Sequence, residues 1–375
     1  MLDLIQLRYQ LHQFPEVSGK EFETAKRISE FIAPYTPDQL IENINGTSLA
    51  AVYTFKEEGP RILIRCELDA LPIEEKNTFA HRSTRKGISH KCGHDGHMVI
   101  VAGIAQWLSE KPINRGSVVL LFQSAEETGK GAKQVVESEV FKELAPDYVF
   151  ALHNLPGRPM HEIRLINGQF CTTVQSVAIK LTGKTSHAAE PENGRNPALS
   201  MAEILQAAAE LELNDPRHKQ FGLLTPVYMN LGQKEYGISA GYGEVHFTIR
   251  CWYPIHMKAL TEKLKVRVRK ISNKYRLKHE MEWFDFFPAV INDPFCNSVL
   301  ENATNRMGGQ LKKVDQGCKF GEDFGWFTQK VPGAMFGLGS GEKTPALHND
   351  DYDFPDEIIE TGLETFIGII EEILA

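Results

Sequence analysis

The chain of 375 residues has no excess of positive charge. Its 41 Lys and Arg stand against 49 Asp and Glu, a sum of −8, which argues against a nucleic-acid-binding surface. No uncharged apolar run approaches the roughly 20 residues of a membrane helix. The opening MLDLIQLRYQLHQFPE carries polar and charged residues throughout, which argues against a secretory leader. Cysteine is scarce: Cys66, Cys92, Cys171, Cys251, Cys296 and Cys318 are far apart and unpatterned. They form no disulfide framework and are expected as thiols in a reducing cytoplasm, five of them as small buried apolar residues. Internal repeats and low-complexity segments are also missing.

What remains is a globular composition, 42% apolar and 24% charged, long enough for one large domain or two ordinary ones. Leu4, Leu7, Tyr9 and Leu11 give the N-terminus the period of an amphipathic helix. The runs 61–68, 117–123, 147–153 and 332–339 read as buried strands. Residues 96–110 read as a helix packed through Ile100, Ile104 and Trp107. Strands separated by helices predict an α/β layer with a mainly parallel sheet.

The middle of the chain reads differently. Strands at 173–183, 226–232, 243–252 and 278–287 and helices at 196–213 and 256–275 follow the order β-α-β-β-α-β of a ferredoxin-like α+β unit. The expected organisation is a discontinuous catalytic domain, 1–173 and 287–375, interrupted by an inserted domain at 174–286. The basic helix 256–275 carries an apolar stripe, so its charges read as a solvated outer face. Exposed strand edges of the insert are candidates for pairing with a second copy of the chain.

Five short runs carry chemistry. In His90-Lys91-Cys92-Gly93-His94-Asp95-Gly96-His97, Cys and His are preferred donors for zinc-like metals. Cys92 and His94 share one side of an extended segment. A helix is expected to start just afterwards with Asp95 as its cap, and its N-terminus to lower the pKa of the thiol. For His97, capping, orientation of a ligand and ligation stay open. In Phe122-Gln123-Ser124-Ala125-Glu126-Glu127, two adjacent carboxylates end an apolar strand, which is costly without a cation; an ordinary solvated acidic loop is the plain alternative. If extended, the two point opposite ways and divide their work between ligand and general base. His153, His348 and Asp69 also follow predicted strands. Ligands of open α/β sheets bind at that edge, so parallel strands bring these residues toward Cys92 and His94. Cys92, His94, Glu127, His153 and His348 exceed one tetrahedral site and suit two metals with a shared ligand and a water.

These motifs resemble those of the di-metal amidohydrolases related to aminoacylase and carboxypeptidase G. The nearest branch contains hippurate hydrolase, indole-acetyl-amino-acid hydrolases and N-acetyldiaminopimelate deacetylase. The resemblance runs from Leu11-His12-Gln13-Phe14-Pro15-Glu16 to Leu347-His348 and is densest at Cys92–His97. Gly321-Glu322-Asp323-Phe324-Gly325 is most similar to the diaminopimelate deacetylases. It implies Cys92 as the bridging ligand, where other branches use aspartate. It further implies Glu126 as general base, Asp69 orienting a ligand, and His187 reaching across a dimer to polarise the scissile carbonyl. Arg250 matches an arginine that binds the substrate carboxylate; a strand salt bridge is its plain alternative. The implied cofactors are two divalent ions, with zinc, manganese, nickel and cobalt all accepted by this donor set. The implied partners are an N-acyl amino acid and a second subunit, with neither nucleic acid nor membrane.

The departures from the family are Cys66-Glu67 for the usual Ala-Asp, Ser124 for proline, and Gly237 for an asparagine. They touch specificity more than chemistry. The expected reaction is hydrolysis of the amide of an N-acyl amino acid. Rival readings are a dipeptidase or aminopeptidase acting on free N-termini, and a non-catalytic metal- or ligand-binding relative, against which the intact Glu126 argues.

Overall fold

Four apolar strands lie side by side in parallel at the centre of the computed structural model: Arg115–Gln123, Glu57–Glu67, Tyr148–Leu155 and Gly333–Gly339. They match the four runs predicted as buried strands, three of which run one residue past the observed strand. The structure describes residues 1–110 and 113–374. Antiparallel neighbours extend the sheet on both sides, Ser48–Thr54 and Gln39–Ile44 beyond Arg115–Gln123, and Glu162–Ile166 beyond Gly333–Gly339. Gln310–Val314 closes the eight-stranded order in parallel with Glu162–Ile166. The fold is thus α/β around a mainly parallel sheet.

Side-chain periodicity explains the layers. The helix His94–Glu110 is apolar on nearly every side and is buried accordingly, Met98 through Ala105 included. The terminal helix Ile358–Leu374 buries Ile358, Ile359, Phe366, Ile369 and Ile370 in the same core. The helix Leu2–Gln13 buries Leu4, Leu7 and Leu11 as expected, and with them Arg8 and His12. Because the central strands are parallel, their C-terminal ends open on one edge. Glu67 is in register with Gln123, and His153 with Gly337.

Contacts divide the chain into two units, one of residues 1–170, 290–317 and 322–375, the other of 171–289 and 318–321. The second unit has an antiparallel sheet in the order Lys278–Phe287, Thr173–Thr182, Tyr242–Cys251, Gly222–Leu231. Helices Ala198–Leu211 and Pro254–Lys274 cover it. The latter buries Met257, Leu260, Leu264 and Val268 and leaves its basic residues outward. A short ribbon pairs Ser186–His187 with Ile238–Ser239. Cys66, Cys92, Cys251 and Cys296 are free thiols, all of them buried. Among the described residues, no helix is long and apolar enough to cross a membrane.

Candidate metal centre

The segment bearing Cys92 and His94 turns sharply before its helix. Gly93 sits at φ +94°, and a Cβ there would lie 2.7 Å from Asn154 Oδ1 and 2.9 Å from Tyr352 Oη. Glycine alone fits both the backbone and the space. The helix starts at His94, so Asp95 lies inside it. The expected cap is therefore corrected: the Asp95 carboxylate bonds His12 and Arg8, because two buried cations outcompete the helix amides.

Six residues converge at the strand edge. The donor atoms of Cys92, His94 and His153 lie within 4.8 Å of one another, as do those of Cys92, Glu127 and His348, and those of His94, Glu126 and Glu127. Cys92 belongs to two triads, and its Sγ is 3.5 Å from His153 Nε2. Ring tautomers follow from the partners. His94 Nδ1 is 2.8 Å from the Asp69 carbonyl oxygen and His153 Nδ1 is 2.9 Å from that of Asn154. A carbonyl only accepts, so both Nδ1 atoms donate and Nε2 is left to face the cluster. His348, half exposed at φ +66°, has its Nε2 3.7 Å from Glu127 Oε1 and its amide bonded to the Lys91 carbonyl.

Glu126 and Glu127 sit in a turn after Ala125, which adopts φ +54°. They do not point opposite ways as extended residues would. The turn brings Glu126 Oε2 and Glu127 Oε1 each to 4.0 Å from His94 Nε2. Asp69 is fully buried; its Oδ2 accepts from Ser18 Oγ at 2.6 Å and from the Glu127 amide at 3.0 Å.

The electrostatics of this cluster suit a cation. Burial, followed by the charges of Glu127, Glu126 and Glu67, pushes the Cys92 thiol well up. That outweighs the lowering expected from the helix N-terminus, because three carboxylates and burial act against a half-charge. Burial together with Glu322 and Glu127 pushes Glu126 well up. Burial and Asp69 raise Glu127 to about 7 against the opposing charge of His94. Burial alone lowers His94, but the Asp69 hydrogen bond and the charges of Glu67 and Glu127 lift it to about 10. His94 Nε2 and Glu127 Oε1 are buried with no hydrogen-bond partner. Unpaired buried donors and acceptors, crowded carboxylates and a thiol share one need, which divalent cations meet.

Around the ligands lies a polar shell that the sequence reading did not assign. Arg65 is completely buried; it donates to Glu67, to Gln123 at 2.8 Å and to Asp323 at 2.6 Å, and it pairs with Glu322 at 3.0 Å. Glu67, at the Cys66-Glu67 departure, also takes His97 Nδ1 at 2.7 Å, while His97 Nε2 lies 2.6 Å from Asn154 Oδ1. Both His97 nitrogens are thus occupied, so of its three open roles the structure favours orientation of the strand carrying His153. His90 is buried with neither nitrogen bonded, and burial holds it neutral, down to about 3. Charged residues inside apolar strands, such as Arg65 and Glu67 in RILIRCEL, are the signal by which this shell could have been found.

The second unit carries His187 and Arg250. His187 Nδ1 accepts from the Ala189 amide at 3.0 Å. Its single proton in neutral form is therefore on Nε2, which makes that nitrogen a donor. Arg250 bonds the Lys319 carbonyl at 3.1 Å, and among the described residues it makes no ion pair, which removes the strand salt bridge. Burial lowers its pKa. Gly237 lies beside the ribbon with open space where a side chain would stand.

The sequence model described as Peptidase family M20/M25/M40 matches residues 63–372. The chain is 28% identical over 364 residues to an N-acetylcysteine deacetylase of Bacillus subtilis, covering 97% of this chain and 94% of that protein. It is 27% identical over 369 residues to an N-acetyldiaminopimelate deacetylase of a Geobacillus species, covering 98% and 96%. Its fold matches a dinuclear metal binding M20 peptidase of Bacillus subtilis with a TM-score of 0.84 at 26% identity, covering 100% of this chain and 98% of that one.

Proposed function

We propose, from the premise that the chain belongs to peptidase family M20/M25/M40 and is an amide-bond hydrolase, that it releases the amino acid from N-acyl amino acids at a two-metal centre. The observation that carries this reading is the pair of donor triads sharing Cys92, with Glu126 beside them. Cys92, shared by two of the donor triads, would hold the ions together with His94, Glu127, His153 and His348. Two divalent ions supply Lewis acidity and make a water acidic enough to lose its proton near neutral pH. Zinc, manganese, nickel and cobalt are all accepted by this donor set.

Glu126 then takes the proton of the attacking water and delivers it to the leaving amine, one carboxylate acting as base and then as acid. Asp69 holds His94 through its carbonyl and the Glu127 amide through its carboxylate. His187 donates from Nε2 to the oxyanion that develops on the acyl carbonyl. Arg250, without an acidic partner among the described residues, donates to the substrate carboxylate. The chain works as a dimer through the outer strand Gly222–Leu231, where Val227, Tyr228, Met229 and Leu231 are exposed. An exposed apolar edge strand is a template for pairing.

The test is amino-acid release from N-acetyldiaminopimelate, N-acetylcysteine, hippurate, N-acetylmethionine and indole-acetyl conjugates by protein reconstituted with zinc or manganese. Unblocked dipeptides complete the panel. Metal-dependent release from acylated substrates supports the reading, and release from dipeptides alone overturns it in favour of a peptidase.

A further inference from the structure

His12 stands on the buried face of the first helix, fully screened from solvent. Its Nδ1 is 2.8 Å from Asp95 Oδ2 and its Nε2 is 3.0 Å from Glu75 Oε1. A carboxylate only accepts, so both ring nitrogens donate and the ring is an imidazolium. Arg8 adds a second cation to Asp95 at 3.1 Å, and Lys91 adds one to Glu75. The result is a buried row of alternating charge: Arg8, Asp95, His12, Glu75, Lys91.

Two members of this row, Lys91 and Asp95, lie at the two ends of one short segment. Lys91 precedes Cys92 and Asp95 follows His94. The Lys91 ammonium also bonds the Tyr352 carbonyl at 2.7 Å, and its own carbonyl takes the His348 amide at 2.7 Å. Between Lys91 and Asp95 the backbone passes through the positive φ of Gly93. Among the described residues no strand pairing sets the shape of that segment; backbone bonds to the Lys91 and Gly93 carbonyls hold its middle, and the side-chain anchors at Lys91 and Asp95 hold its ends. Burying ions costs several kcal/mol each, and apolar residues of similar volume often stabilise a fold as well. Stability alone therefore does not account for five charges in this place.

We propose that His12 is a positioning residue for the metal centre: clamped between Asp95 and Glu75, it fixes the separation of Cys92 and His94 that two cations require. This rests on the two-metal reading above. Glutamine at position 12 offers a donor to one carboxylate only and brings no charge. Asp95 and Glu75 then lose their shared partner, and the segment relaxes.

The experiment titrates cobalt(II) into the metal-free full chain, wild type, His12→Gln and the milder Glu75→Gln. It reads stoichiometry, the thiolate-to-cobalt absorption, and affinity by competition with a chromophoric chelator. The expected result is a loss of affinity of about 10- to 100-fold in His12→Gln. A smaller loss in Glu75→Gln and an altered thiolate band in both accompany it. A merely structural His12 lowers the unfolding midpoint of the metal-free protein and leaves affinity and spectrum at wild-type values; that result overturns the proposal. Should His12→Gln not fold, Glu75→Gln decides by the same readings. Failure of wild type to bind two equivalents overturns the two-metal reading itself, whereas two equivalents in wild type and unchanged variants overturn only the role of His12.

Discussion

His94 Nδ1 donates to the backbone carbonyl of Asp69 at 2.8 Å. The Asp69 carboxylate reaches the same nitrogen more loosely, with Oδ1 at 3.5 Å, and through Oδ2 it holds the Glu127 amide and Ser18. One residue positions a ring through its backbone and a turn through its side chain. Asp69→Ala keeps the carbonyl bond to His94 and removes the carboxylate with its contacts. The expected outcome is retention of both metals with kcat reduced by about 10- to 100-fold, since the Glu126–Glu127 turn loses its anchor. Elemental analysis alongside steady-state kinetics checks it; loss of metal would place the carboxylate, not the carbonyl, in charge of His94.

Glu126→Gln preserves the shape of the turn and removes the proton acceptor. Metal content and unfolding midpoint are expected to stay at wild-type values while kcat falls by about 100- to 10,000-fold. A variant with wild-type turnover excludes Glu126 as the base.

Cys92 is shared by two donor triads, so Cys92→Ala is expected to strip both sites, leaving well under one equivalent after dialysis. Cys92→Asp offers two oxygens at the same place and is expected to restore binding in part. Inductively coupled plasma analysis of the two variants side by side gives the answer. Full metal content in Cys92→Ala would remove the thiol from the centre.

The strands and the ferredoxin-like order were legible because buried parallel strands are continuous apolar runs and the insert alternates periods cleanly. The outer strands Gln39–Ile44 and Gln310–Val314 were not, since partly exposed edges of mixed composition carry no such signal. Cys92 and His94 announced themselves by type and spacing. The shell behind them did not: Arg8 and His12 lie four apart on a helix face that otherwise reads as core. Their acidic partners Asp95, Glu75 and Asp356 are 63 to 348 positions away in sequence. Long-range ion pairing has no local pattern. The turn at Glu126 was also hidden, because nothing in Ser124-Ala125 advertises the positive φ of Ala125.

The stability of the metal-free protein carries the signature of His12. Burial lowers its pKa, but Asp95 and Glu75 overcome that and raise it to about 9, against 6.5 for a free imidazole. A group whose folded pKa is raised contributes fully below the unfolded value and less as pH climbs through the folded one. The midpoint of denaturant unfolding in EDTA is therefore expected to fall between pH 6.5 and 9 in wild type. In His12→Gln this part of the slope disappears. Parallel slopes in the two proteins would deny His12 its charge.

The last prediction joins the two units through assembly. Val227, at a bulge, and Met229 lie on the outer strand Gly222–Leu231, both more than half exposed. Val227→Glu with Met229→Glu places like charges against themselves across any symmetric pairing of that edge. Light scattering is expected to give twice the chain mass of 42.2 kDa for wild type and the single mass for the double variant. If His187 acts in the site of the neighbouring subunit, the monomer keeps both metals and loses turnover to the level of His187→Ala. If it acts within its own chain, the monomer stays active. A wild type that is monomeric at assay concentration, yet active, excludes the cross-subunit arrangement outright.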